Sequence, residues 1–564
     1  MGASRLGIGL NYGGGSGKMC RNASRALPAQ PSEVQGRQTE LGHDRRSVKQ
    51  HWLHFVVPSI PDVVFGALLL GLSCGAGGRL LLRDADLGWH IRNGEQIVAM
   101  HAIPHTDSFS STMSGHTWYA WEWLYDILIA AIHHVSGLNG VVCFSAAIIA
   151  ATFVLSLHFA LRRGGNLVVI FFLLILSLGA AAVHFLARPH VLSWLFTVIW
   201  FELLDSAASN EQSRNRLYWL PVLMVVWVNL HGGFVIGFAL LAIYLVGGGI
   251  EYFSHRERRR EIADWLKRLG IVTALAFAAS FVNPYGYRLQ MHIYGYLSDR
   301  FLMSQISEFR SPDFHGAAQQ SFAVLLIITI VTLATTRQRL APSRILLLLF
   351  TVYSGFYATR NLPTSSLLIT LITAPMLSDT VAQGSKSLTM AAWLRRLFAR
   401  TDAFGSRMRN LDKAFSGHVW IILVLALGLW AGMHQGGLGS TRLINAYFDE
   451  NRFPVEATSY ISNHHLNEPI FSLDYWGGYL IYRLYPETKV VIDDRHDFYG
   501  DQAIKDYLKI VLVQPTWEKE LDEMGVNWIL VPRWSSLANM IRLTPNWVAV
   551  HEDETAALFH RQAR

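Results

Sequence analysis

The sequence predicts a mainly α-helical, polytopic membrane protein that carries a soluble α/β domain at its C-terminal end. Three observations lead there. Of the 564 residues, 51% are hydrophobic and only 16% charged, against about 25% charged in an ordinary soluble domain. Between residues 61 and 434 the apolar residues gather into a series of runs, on the scale needed to cross a hydrocarbon layer of about 30 Å. Past residue 437 the pattern changes to short apolar runs separated by stretches of helical period. The composition argues against a purely soluble multidomain enzyme. The three widely spaced cysteines, Cys20, Cys74 and Cys143, argue against a disulfide framework or a usual zinc module.

Residues 1–58 are rich in Gly, Ser, Gln and Arg and have no apolar period, so they read as a disordered basic cytoplasmic tail with no signal peptide. The stretch Gly13-Gly14-Gly15-Ser16-Gly17-Lys18 resembles a phosphate-binding loop only superficially. Tyr12 stands at its first glycine position, Met19 replaces the hydroxyl residue, and no strand precedes it.

Eleven spans are expected, near 61–83, 139–161, 166–187, 190–205, 217–230, 232–250, 268–283, 320–336, 343–359, 362–378 and 418–434, within a membrane region 59–436. The segment Trp121–Val135 carries Glu122, Asp126, His133 and His134 and is read as a helix lying in the interface. With the tail inside, the loops on the cytoplasmic side hold 20 Lys and Arg and the opposite loops hold 7. The positive-inside rule therefore favours this parity, with a large outer loop over 84–137 and the C-terminus outside.

The outer domain, residues 437–564, shows strand-like runs at Pro469–Leu473, Lys489–Ile492, Trp528–Val531, Trp547–Val550 and Ala556–Phe559. Helical periods near 477–485, 501–511, 516–524 and 535–542 lie between several of them, which makes a partly parallel sheet plausible. Charge maps onto this division. From residue 440 onward there are 12 Lys and Arg against 18 Asp and Glu, a balance of −6 that leaves +13 for the rest of a chain whose net charge is +7. That balance reports topology and gives no reason to propose nucleic acid as a partner.

The polar motifs between the spans fall mostly on the outer side. Asp84 and Asp86 sit where the first span ends, followed by Trp89 and His90. Carboxylates there serve either as a general base taking a proton from an acceptor hydroxyl, or as ligands for Mg2+ or Mn2+. A solvated helix end, paired with Arg83 or Arg92, is the plain alternative. In the outer domain, Asp493-Asp494-Arg495-His496-Asp497 follows a predicted strand, a place for a ligand or simply a charged loop. Trp476-Gly477-Gly478-Tyr479 is either a sugar-stacking pair or, more simply, the tight start of a packed helix.

Asp84-Ala85-Asp86-Leu87-Gly88-Trp89-His90, with Pro104, Asp107-Ser108-Phe109-Ser110 and Trp121-Glu122-Trp123-Leu124, resembles the first outer loop of polytopic glycosyltransferases of the GT-C fold. Asn229-Leu230-His231-Gly232-Gly233, Asn283-Pro284-Tyr285-Gly286, Ser311-Pro312-Asp313-Phe314, Arg360-Asn361-Leu362-Pro363 and Ile492-Asp493-Asp494-Arg495 resemble a bacterial branch of that superfamily. The resemblance implies transfer of a sugar from a polyprenyl-phosphate donor to a glycan, lipid or protein acceptor, among membrane lipids at the outer face of a bacterial inner membrane, with a periplasmic C-terminal domain. It implies Asp84 or Asp86 as the catalytic carboxylate or metal ligand and Glu122 as the acceptor-side glutamate. The phosphate left by the sugar needs cations or hydrogen-bond donors. Arg188, His190, His231 and Arg360 are the outer-face candidates, beside His90. Arg188 and Arg360 would otherwise snorkel to headgroups, and His231 would otherwise mark a helix-hairpin turn. Two other classes use similar features: a transporter or flippase of lipid-linked glycans, and a non-catalytic envelope scaffold.

Overall fold

The computed structural model describes residues 56–412 and 419–562. The expected tail, including the glycine-rich Gly13–Lys18 stretch, lies outside the described residues as far as residue 55. Each of the eleven predicted spans falls on helix. Among the described residues, six helical segments are long and apolar enough to cross a membrane: Trp123–Arg162, Leu167–His184, His190–Ser209, Gly232–Ser254, Ala317–Thr335 and Thr359–Ser385. Ile60–Ser73 and Val419–Met433 are shorter apolar helices. The chain is a multi-pass membrane protein.

Local chemistry sets the breaks. Ser59 and Asp62 cap the first helix reciprocally, the Ser59 amide donating to Asp62 Oδ2 (2.8 Å) and the Asp62 amide to Ser59 Oγ (3.3 Å). The predicted span 61–83 is two helices, Ile60–Ser73 and Ala76–Leu81, because Gly75 takes a φ of +56° between them. The interfacial helix and the span after it abut. They form one 40-residue helical stretch, Trp123–Arg162, broken only at Gly137 with φ 58°.

Helix Asp86–Met100 is held between two neighbours at glycines. A Cβ on Gly94 would meet the Asp126 carbonyl oxygen at 2.0 Å, and one on Gly88 would meet the Gly478 carbonyl oxygen at 2.2 Å. The second contact joins it to the outer-domain helix Asp474–Leu484. Trp476 and Tyr479 of that helix are 1% exposed, so Trp476-Gly477-Gly478-Tyr479 is packing and not a stacking platform.

The outer sheet has four strands. β3 (Ile470–Ser472) runs parallel to β4 (Trp528–Pro532), and β6 (Ala556–Arg561) pairs antiparallel with both β4 and β5 (Trp547–Glu552), in the order β3-β4-β6-β5. A two-stranded β1–β2 hairpin at Gly437–Leu438 and Thr441–Arg442 precedes it. The predicted strand Lys489–Ile492 is not a ladder strand. Val490 makes single bridges, to Ile470 on one side and to Ser110 of the outer loop on the other. Both backbone groups of Val490 bond the loop, the Ser111 amide donating to its carbonyl (2.8 Å) and its amide to the Phe109 carbonyl (3.3 Å), while on the sheet side the Ile470 amide donates to the Lys489 carbonyl (3.1 Å) and the Val491 amide to the Ile470 carbonyl (3.0 Å). That stitch fastens the loop after helix Asp86–Met100 to the outer domain.

Candidate active site

Helix Asp86–Met100 begins at Asp86, and Asp84 Oδ1 accepts from the Asp86 amide (3.0 Å), which sets the two carboxylates side by side. Arg188, just ahead of helix His190–Ser209, bridges them, with Nη1 3.2 Å from Asp84 Oδ2 and Nη2 paired with Asp86 Oδ2. Asp494 joins them from the outer domain. One carboxylate oxygen from each of Asp84, Asp86 and Asp494 lies within 4.8 Å of the others. Among the described residues, Asp86 Oδ1 and Asp494 Oδ1 are buried with no hydrogen-bond partner. Orphaned buried acceptors cost stability unless something satisfies them, and three oxygens so arranged suit a hard divalent cation.

The charged run after Ile492 is divided by direction. Asp493 and Arg495 turn inward: Arg495 Nε donates to Asp493 Oδ1 (2.8 Å), and its Nη2 donates to Asp493 Oδ2 (2.7 Å) and to Asp107 Oδ1 (2.8 Å). Its guanidinium lies 4.6 Å from the Trp118 ring centre. Asp494 and Asp497 line the cavity, which Arg495 also borders, and Asp497 Oδ2 stands 3.0 Å from His292 Nε2.

A cavity of about 450 Å³ collects most of the predicted residues. Asp86, Glu122, Arg188, His190, His231 and Arg360 all line it. Asp84 stands at its edge through Arg188. His90 does not line it: the ring is wholly buried behind Glu122. His190 donates from Nε2 to the His184 carbonyl (2.9 Å).

Glu308, in an outer loop the sequence marks only as polar, lines the same cavity and pairs with Arg360 (3.3 Å) and His184 (3.2 Å). Against the cost of burial, Arg360, His184 and Arg188 hold its carboxyl well below the usual range. Trp118, Trp121 and Tyr296 also line the cavity; Trp121 belongs to the Trp121–Leu124 motif and Trp118 lies just before it, while nothing in the local pattern distinguishes Tyr296 from other loop aromatics.

Glu122 is set between two imidazoles. The Gly233 amide donates to His231 Nδ1 (2.9 Å), and Ser193 Oγ lies 2.8 Å from the same nitrogen. An Nδ1 that accepts an amide proton carries none, so Ser193 donates to it and the ring proton sits on Nε2, 3.6 Å from Glu122 Oε1. Burial, reinforced by Arg360 and Arg188, lowers the His231 pKa to about 3, which keeps the ring neutral. On the other side His90 Nδ1 lies 2.6 Å from Asp126 Oδ1, an N–H donor to a carboxylate. That leaves His90 Nε2 as a bare acceptor 3.6 Å from Glu122 Oε2. Burial, with Asp126 and Asp497 nearby, raises the Glu122 pKa well above the ordinary value.

Solved structures share the fold that carries this cavity. The Archaeoglobus fulgidus oligosaccharyltransferase in its apo form superposes with a TM-score of 0.53 at 9% identity, over 84% of this chain and 69% of that one. The oligosaccharyltransferase AglB from Archaeoglobus fulgidus, solved with an inhibitory peptide and a dolichol-phosphate, gives 0.55 at 9% identity over 89% and 74%. ArnT from Cupriavidus metallidurans bound to undecaprenyl phosphate gives 0.42 at 13% identity over 88% and 96%. No protein-family profile matches the chain, and no curated protein does. The chain shares the polytopic fold of the two oligosaccharyltransferase structures, the kind of fold that the loop motifs imply.

Proposed function

We propose that the chain is an integral-membrane glycosyltransferase that moves a sugar from a polyprenyl-phosphate donor to an envelope acceptor, inverting at the sugar. The observation that carries this reading is the convergence of Asp86, Asp494, Glu122, Arg188 and Arg360 on one cavity, in a fold whose solved relatives include one with a dolichol-phosphate bound. Asp84, Asp86 and Asp494 would hold Mg2+ or Mn2+, whose charge would stabilise the departing phosphate. Arg188 and Arg360 offer guanidinium N–H groups to phosphate oxygens. Trp121 offers a face to the sugar ring.

The acceptor oxygen bonds to the anomeric carbon as the bond from that carbon to the phosphate oxygen breaks, its electron pair leaving with the phosphate. The acceptor proton passes to Glu122, whose burial raises its pKa and so makes its carboxylate a stronger base than an exposed glutamate. His90 Nε2 can take it onward, with Asp126 offsetting the imidazolium charge. His90 thus acts from behind Glu122, as a positioning and relay group.

The excess of basic residues in one set of loops, 20 against 7, supports an orientation with those loops cytoplasmic and the cavity and domain 437–564 periplasmic, in a bacterial inner membrane. Residues 59–436 then form the membrane domain, with the outer loop 84–137 as the cavity's roof. Purified protein in liposomes, supplied with polyprenyl-phosphate-linked sugars and an envelope extract as acceptor, tests the reading. Sugar transfer by the wild type, reduced at least about a hundredfold in Glu122→Gln and Asp86→Asn, is expected. Lipid movement without cleavage of the sugar–phosphate bond identifies a flippase instead, and transfer at wild-type rates by both variants overturns the assigned site.

A further inference from the structure

A second cluster of metal-binding groups lies in the outer domain, away from the cavity. Helix Val455–Asn463 carries Glu456 in its first turn. Strand β5 carries His551 next to an irregularity: Ala549 pairs with Phe559 and His551 with Leu558, so Val550 is an extra residue in the ladder. A bulge of this kind re-aims the side chain that follows it. Asp553 sits in the turn between β5 and β6, and its Oδ1 accepts from the amides of Thr555 and Ala556, both at 2.7 Å. Those bonds fix the carboxylate and leave Oδ2 for another partner.

No hydrogen bond among the described residues satisfies it. Asp553 Oδ2 and His551 Nε2 are both buried without a hydrogen-bond partner and stand 3.4 Å apart, an ion pair only when the imidazole is protonated, on an aspartate side chain only 7% exposed. One ligand atom from each of Glu456, His551 and Asp553 lies within 4.8 Å of the other two. The imidazole is held by Tyr460, stacked on it at 4.9 Å and 22° from the same helix as Glu456.

We propose that Glu456, His551 and Asp553 bind a divalent transition-metal ion of the Zn2+ class, which fastens helix Val455–Asn463 to the β5–β6 hairpin. One imidazole nitrogen and two carboxylate oxygens are a ligand set that Zn2+ accepts, with a fourth position left to water. The imidazole favours Zn2+ over Mg2+ and Ca2+, which take oxygen ligands. Such an ion satisfies both orphaned atoms at once and contributes to stability by mass action, because it binds the folded state.

The test is Zn2+ titration of the purified full-length protein carrying Asp86→Asn and Asp494→Asn, which removes two of the three carboxylates of the cavity's cation cluster and so disables it as a competitor. Calorimetry is expected to give one saturable Zn2+ site, absent after His551→Ala and weakened after Glu456→Gln. Tm is expected to rise with Zn2+, to fall back with EDTA, and to be unmoved by equal Mg2+. Asp553→Asn keeps the turn's amide bonds and removes the anionic oxygen, so loss of Zn2+ binding there without a drop in metal-free Tm supports a ligand role. No saturable binding in the parent, or equal binding after His551→Ala, overturns the proposal. Neither result bears on sugar transfer.

Discussion

Asp494 and Arg495 are chain neighbours that both border the cavity, but Arg495 is tied to buried carboxylates, and their substitution separates structure from chemistry. Arg495 is 4% exposed and is the counter-charge of buried Asp493 and Asp107. Replacing it with Ala leaves two buried carboxylates unpaired, a loss of about 3–5 kcal/mol in denaturation of the full chain. Asp494→Asn alters a cavity-facing carboxylate whose Oδ1 has no partner among the described residues, so a stability change within about 0.5 kcal/mol is expected. Glu122 makes a prediction in pH. Its pKa is raised by burial, and a base works only when deprotonated, so kcat/KM should rise with pH through a value above the ordinary glutamate range. Glu122→Gln should abolish that limb, and an unchanged profile would remove Glu122 as the base. The candidate residues were legible because Asp, Arg and His are unusual at the ends of apolar runs. Which of them face the cavity was not: Arg495 turns inward toward Asp107, 388 positions away, and no local pattern names such a partner.

At the scale of elements, the helices were legible because apolar length is a direct consequence of crossing lipid. Their junctions were less so. Gly137 breaks one continuous helical stretch without adding a loop, and Lys489–Ile492 divides its hydrogen bonds between the sheet and a loop nearly 380 residues earlier. Both outcomes depend on tertiary partners. The packing of helix Asp86–Met100 gives a sharp test. A methyl at Gly88 meets backbone at 2.2 Å, which no side-chain rotation relieves, so Gly88→Ala should cost about 1–3 kcal/mol. It should also impair activity beyond that cost, because the helix carries Asp86 at its start. Gly66, inside helix Ile60–Ser73, has no atom within 4 Å of the point a Cβ would occupy. Gly66→Ala is therefore expected to be neutral or to stabilise by up to about 1 kcal/mol. Thermal denaturation of both variants in one detergent compares them directly, and equal Tm values would contradict the close contact.

Across the whole molecule, the separation of charge between the two sets of loops could be read from loop composition, whereas the contribution of the C-terminal domain to the cavity could not. The sequence places Asp84 and Asp86 on the membrane domain and Asp494 on a separate α/β domain; the structure makes them one cluster. If the three hold one cation, substitutions in different domains must be non-additive. Asp86→Asn and Asp494→Asn should each raise the Mn2+ concentration for half-maximal sugar transfer about tenfold or more, or about 1.4 kcal/mol. The double variant should cost less than the sum by about 0.5–3 kcal/mol, because removing one ligand already removes most of what the other contributes. Chelation should abolish transfer by the wild type, and excess Mn2+ should restore it more fully in either single variant than in the double. Strict additivity would mean that Asp494 only lines the cavity while the metal sits elsewhere. The same cycle run with Glu122→Gln in place of Asp494→Asn is the control, since Glu122 is outside the three-carboxylate cluster and should leave the Mn2+ requirement where it was.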